Sequence, residues 1–266
     1  MATQQAKKPQ AQAVKPSAAK TPTQAVAATK PTAVATVPDY IKQGAGRGNE
    51  NVEMSDYVIP RIEVVQALSP CLKSNDPSYI EDASQGDLYN SVTRELYGNA
   101  VTVIPVVFRK EYLVWKDRTK GGGFRGAYPS MQEAQARIDG EKDGADLVTN
   151  ETAQQFVLIV REDGTMDEAV VSMSKTKLKI SRQWNSLIRI NGNDRFSRTY
   201  VLSSTEDNNE KGDFYNFAVA NAGFPTVEQY KRAESLFEAI ASGARRVVAD
   251  TSDGDLDGQA QARGEY

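Results

Sequence analysis

The sequence predicts an α+β domain, mainly antiparallel β, held between two disordered tails. Two observations carry this. Apolar runs with strand periodicity recur between residues 62 and 220, broken by two stretches of helical periodicity and followed by an amphipathic helix. Residues 1–38 are built almost entirely from Ala, Lys, Pro, Thr, Gln and Val, with no aromatic and no acidic residue. Such a segment cannot bury enough apolar surface to offset the entropy of ordering it. The expected organisation is a basic tail over 1–50, one folded domain over 51–249 and an acidic tail over 250–266.

Within the domain, Tyr57–Pro60 leads into a short extended run at Ile62–Val65, and Asp87–Val92 gives another. Val101–Val107 continues past Arg109 and Lys110 as Tyr112–Trp115, one long strand. The loop Lys120-Gly-Gly-Gly-Phe-Arg-Gly126 follows, because three successive glycines end a regular element. Ser130–Ile138 reads as a helix, with Ser130 as N-cap and Glu133 in the capping-box position. Phe156–Val160 and Ala169–Met173 are strands joined across Glu162-Asp-Gly-Thr165, an Asp-Gly hairpin signal. Ser174–Ile190 is helical, with Ile180, Trp184, Leu187 and Ile188 on one face and Lys175, Lys179, Arg182, Ser186 and Arg189 on another. Phe196–Ser203 and Asp213–Ala220 form a second hairpin across the polar loop Thr205–Gly212. Thr226–Val248 is the terminal helix, its apolar stripe made of Val227, Tyr230, Ala233, Phe237 and Ile240. From Val101 onward the order is that of an OB-like barrel with a helix between strands 3 and 4, and residues 117–155 form the insertion between its first two strands.

Composition removes much chemistry. The chain has no histidine and one cysteine, Cys71. Histidine-based triads, imidazole metal sites, thiolate zinc sites and internal disulfides are all excluded. Lone Cys71 fits a reducing compartment, no apolar run is long enough to span a bilayer, and the cytoplasm is the expected location. A carboxylate-metal nuclease using Glu162, Asp163, Asp167 and Glu168 is conceivable chemistry, but these acids fall in and beside a turn, where solvation explains them better. The glycine loop lacks the Gly-Lys-Ser/Thr ending of a phosphate loop. Asp253-Gly-Asp-Leu-Asp-Gly258 matches half of a calcium loop but has Gly264 where the closing Glu belongs. No cofactor is implied, and binding is expected rather than catalysis.

Charge is sorted into blocks that the net value of −3 conceals. The N-terminal tail carries +5 from Lys7, Lys8, Lys15, Lys20 and Lys30, and residues 250–266 carry −4. Residues 109–125 hold a local +4 and residues 175–198 a local +6. Both basic segments are interleaved with rings: Phe108, Tyr112, Trp115, Phe124 and Tyr128 in the first, and Trp184, Phe196 and Tyr200 in the second. Single-stranded nucleic acid is bound by this combination, cations tracking phosphates and rings stacking on unpaired bases at about 1–3 kcal/mol each. The bland alternative is that the rings are core and the basic helix face is merely solvated; Trp184, on the apolar helix face, is the clearest core candidate.

The runs Met54–Pro70, Gly86–Val92 and Ile104–Tyr112 resemble proteins encoded by tailed bacteriophages. Barrel order, interleaved aromatics and acidic end are similar to phage single-stranded DNA-binding proteins of replication and recombination. Tyr266 after Glu265 is similar to the acidic tail with a final aromatic of one phage branch of that class. That resemblance implies single-stranded DNA as the partner, with replication or recombination proteins meeting the acidic tail, in the host cytoplasm.

The leading expectation is therefore phosphate contact through Arg109, Lys110, Lys116, Arg118, Lys120, Arg125, Lys177, Lys179, Arg195 and Arg198, with Tyr112, Trp115, Phe124 and Tyr215 stacking on bases. The alternative is a phage structural or assembly protein that touches DNA or capsid through its basic tail.

Overall fold

The computed structural model describes residues 47–52, 58–209 and 212–242, with Arg118 described by its backbone alone. The expected acidic tail, and all of the expected basic tail before residue 47, lie outside the described residues. The chain divides into units Met1–Glu50 and Asn51–Tyr266, and every regular element among the described residues belongs to the second.

The main antiparallel sheet has six strands, five of them on one continuous path: β4 (Ala100–Lys116), β6 (Leu147–Val160), β7 (Met166–Ser174), β8 (Thr199–Asn209) and β9 (Gly212–Gly223). Their order is β7-β6-β4-β8-β9, and β5 (Phe124–Tyr128) pairs with the far end of β4. A second, three-stranded sheet consists of β1 (Ile62–Val64), β2 (Leu88–Asn90) and β3 (Leu96–Gly98). The helices are α1 (Met131–Asp139), α2 (Leu178–Asn191) and α3 (Val227–Ala241).

Alternation along the strands separates two cores. On one face Val103, Val157, Ile159, Val171, Met173, Tyr200, Leu202 and Phe217 pack under Trp184 and Ile188 of α2 and against Ile62, Val64 and Leu88 of the small sheet. On the other, Ile104, Val106, Phe156, Leu158 and Val170 pack under Ala233, Leu236 and Ile240 of α3. Pro105 is tolerated inside β4 because the ladder is already irregular there. The register with β6 shifts between Pro105 and Val107, and pairing with β8 has ended at Val103.

The α+β, mainly antiparallel class holds, and α2 does lie between the third and fourth long strands of the main sheet. The barrel does not. Closure would require β7 to pair with β9, and both instead remain edges of an open sheet. The physical reason is that residues 60–66 occupy both edges. The Val170 N–H donates to the Pro60 carbonyl at 2.9 Å, and Arg61 bridges Val170 in parallel. On the other side Gln66 acts as a strand in miniature: its Nε2 donates to the Tyr215 carbonyl at 2.7 Å and its Oε1 accepts from the Tyr215 N–H at 2.9 Å. Gly86, at φ +89°, lies so close that a Cβ would come 2.7 Å from the Tyr215 ring. Arg161 ties the sheets further, pairing with Glu95 beside β3 and with Asp167 on β7.

Other elements differ in extent. β6 begins at Leu147, nine residues before the expected strand, because the mostly polar residues 147–155 pair with Phe108–Lys116 of β4. β5 takes Phe124–Gly126 out of the expected glycine loop, and β8 and β9 run through the expected loop 205–212 as far as the described residues reach. The α3 stripe is Ala233, Leu236 and Ile240, whereas Val227 is 73% and Phe237 43% exposed. The expected N-cap is present, Ser130 accepting from the Glu133 N–H, and α3 carries a capping box that the sequence reading did not name, between Thr226 and Gln229. The acids of the hairpin turn have local roles, Asp163 accepting from Thr165, Asp167 meeting Arg161 and Glu168 meeting Arg232. Among the described residues no group of three or more acids or thiols is placed to hold a metal, and no helix is long and apolar enough to cross a membrane.

Candidate nucleic-acid interface

Strand periodicity sends neighbouring cations of β4 to opposite faces. Arg109 lies on the α3 face, its guanidinium 5.8 Å from the centroid of the Phe156 ring. Lys110 lies on the α2 face, its Nζ 3.0 Å from Glu151 Oε1. Farther along, Lys116 Nζ and Arg125 Nη2 share Asp143 Oδ2 at 2.9 and 3.2 Å, closing the glycine hairpin. Lys120 is exposed in that hairpin, and Arg118 opens its turn.

The rings expected to stack sit in three separate places. Tyr112 is half-buried beneath α1 with Val114, Tyr128, Ala134 and Leu147. Trp115 and Phe124 meet edge to face, centroids 5.1 Å apart, on the β4–β5 ladder. Tyr215 lies in the seam with Gly86, its hydroxyl donating to Glu206 at 3.0 Å. Trp184 is fully buried, as its place on the apolar helix face predicts. In the second basic segment Lys177 stands 5.5 Å from the Phe217 ring, Lys179 is exposed on α2, and Arg198 stacks 4.3 Å from the Phe224 ring.

The two basic segments do meet at one place, on the α2 face. Gly192, in the left-handed region at φ 69°, ends α2 and lets the chain turn back, and Arg195 folds under the helix. Its guanidinium lies 5.5 Å from the centroid of Phe108 on β4. It donates from Nη2 to Gln155 Oε1 on β6 and, at 2.9 Å, to Asn185 Oδ1 on α2. The Gln155 amide nitrogen in turn donates to Ser181 at 3.0 Å and Asn185 at 3.3 Å. Two residues along each strand, on the same face, stand Lys110 on β4 and Ala153 on β6, with Glu151 beyond them; one turn back along α2 stands Arg182. Arg182 reaches the same Glu151 oxygen as Lys110, at 3.8 Å. The cations therefore border the junction between α2 and the strands, with Arg195 at one end, Lys110 and Arg182 at the other, and Gln155, Ala153 and Ser181 buried between them.

Arg195 is the unusual member. Neutral amide oxygens hold it, and its Nε is buried without a hydrogen-bond partner. Burial pushes its pKa down to about 10, with the Tyr200 phenol partly opposing, and no carboxylate among the described residues contributes. A cation withdrawn from water with no counter-charge is costly, and an arriving anion relieves that cost. Lys110, with its side chain 47% exposed, and Arg182, at 72%, extend the positive surface outward. Sequence reasoning named Arg195 and Lys110 but missed Gln155, Ser181, Asn185 and Glu151. The available signal was the pair Ser181 and Asn185, polar residues four apart on the flank of a helix whose centre is Trp184.

A family model described as Pam3 phage gp34-like protein matches residues 27–246. No curated protein and no solved structure matches the chain.

Proposed function

This chain belongs to the Pam3 phage gp34-like family, and we propose that it serves its phage by binding single-stranded DNA, without catalysis, during replication or recombination in the host cytoplasm. The observation that carries the reading is the junction of the two basic segments. Arg195 rests on Phe108, and Lys110 and Arg182 share one carboxylate, so three cations from separate parts of the sequence border one helix–strand junction, whose outer edge we take as the binding groove. Phe108 and Lys110 are two residues apart on one strand face, about 6.8 Å, a step comparable with that between successive phosphates of an extended strand. Affinity in this geometry comes chiefly from phosphates, with Trp115 and Phe124 the half-exposed rings left to meet bases.

A second reading, a phage structural or assembly protein touching DNA or capsid through its basic tail 1–50, is favoured by one observation: the four rings expected to stack do not share a surface. Anisotropy titration of labelled oligo-dT over a range of salt separates the two. Binding should weaken steeply with salt, and the double variant Lys110→Ala/Arg182→Ala should lower the log–log slope by about 0.7 for each phosphate that is no longer neutralised. Equal affinity for duplex would reduce the groove to a generic basic surface. Absence of binding at low salt would overturn the proposal and leave the assembly role ahead.

A further inference from the structure

One arrangement is found at two places among the described residues: a single carboxylate oxygen shared by two cations from different elements. At the glycine hairpin Asp143 meets Lys116 and Arg125, both within hydrogen-bond distance. In the groove Glu151 meets Lys110 at 3.0 Å but Arg182 only at 3.8 Å. The first is a clamp. The second is looser, and it stands in line with Arg195.

We propose that Glu151 is an internal counter-anion that occupies a phosphate position between Lys110 and Arg182, and that a nucleic-acid strand enters the groove by displacing it. Three features support this. Two cations against one carboxylate leave the pair incompletely neutralised, so a second anion is still attracted. Arg182 is held by charge alone, beyond hydrogen-bond length, and its side chain is 72% exposed, so it can transfer from carboxylate to phosphate at little cost. The Glu151 side chain is 27% exposed at the end of the groove, so a change of side-chain rotamer suffices to release it to water. Glu151 thus lowers affinity while offsetting the mutual repulsion of Lys110 and Arg182 in the free protein. This inference rests on the nucleic-acid reading of the groove and adds a competitor built into it.

The test compares Glu151→Gln with Asp143→Asn, two nearly isosteric changes of equal charge, by oligo-dT anisotropy and thermal unfolding. Glu151→Gln should tighten binding about two- to five-fold, the equivalent of removing one exposed ion pair. It should also steepen the salt slope by up to about 0.7, because no freed carboxylate then recaptures a cation. Glu151→Ser gives the same readout should the amide distort the pair. An equal gain in Asp143→Asn would assign the effect to net charge and overturn the inference. So would unchanged or weaker binding in the Glu151 variants when the wild type binds. Failure of wild type and variants alike to bind would instead sink the functional proposal beneath it.

Discussion

Gln66 is the residue on which the open sheet can be tested. It is 8% exposed, and its side-chain amide satisfies both backbone groups of Tyr215 on the edge of β9, at 2.7 and 2.9 Å. Gln66→Ala removes both bonds. Each is worth about 1 kcal/mol net, and leaving part-buried backbone groups unsatisfied adds more, giving a loss of about 3 kcal/mol. For a domain of this size that corresponds to a fall in Tm of about 6–12 °C. Urea unfolding gives the free energy, and amide hydrogen exchange at Tyr215 reports the seam directly. Gln66→Glu sharpens the test. It keeps the acceptor for the Tyr215 N–H but turns a second carboxylate oxygen toward the Tyr215 carbonyl, so its deficit should shrink when acid protonates it and restores a donor. Stability within about 0.5 kcal/mol of wild type, with unchanged exchange at Tyr215, would refute the account of why the barrel fails to close.

Two further predictions concern charge. Burial raises the Glu111 pKa above its ordinary value of 4.5, with Arg109 and the Gln154 amide partly opposing. A raised acid pKa means the folded chain holds the proton more tightly than the unfolded one, so this contribution is full below the ordinary value and is lost as pH rises through the folded one. Glu111→Gln should therefore gain on wild type as pH rises across that window; a stability difference identical at about pH 4 and about pH 7 in urea titrations would contradict it. Deleting residues 250–266 removes a net −4 and should tighten oligo-dT binding at low salt, with the gain fading as added salt shortens the Debye length. Equal or weaker binding by the truncated protein would show that the acidic segment does not compete for the basic groove.

Strand and helix identity was legible wherever burial is one-sided and local. The alternation of Val101–Val107, the capping pattern at Ser130 and the apolar face around Trp184 each follow from contacts that a residue's immediate neighbours dictate. Extent was less legible where polar residues are strand only because a long partner pairs with them. Residues 147–155 show no apolar periodicity and are ordered by the length of β4. The α3 stripe misled for a similar reason: Phe237 is apolar but sits beside the buried line that Leu236 joins.

By itself the sequence determined the class, the order of the long strands and the three helices, the sorted charge and the chemistry that a chain without histidine cannot do, but not the short strands β3 and β5. Only the tertiary structure decided that the sheet stays open, that Arg195 meets Phe108 and Gln155, and that Tyr215 lies half-buried beside Gly86. The reason is physical. Periodicity records which side of an element faces away from water, but it does not record which distant edge will satisfy that element's backbone. In this protein a glutamine side chain and the Pro60 carbonyl, rather than a sixth pairing of strands, satisfy those edges.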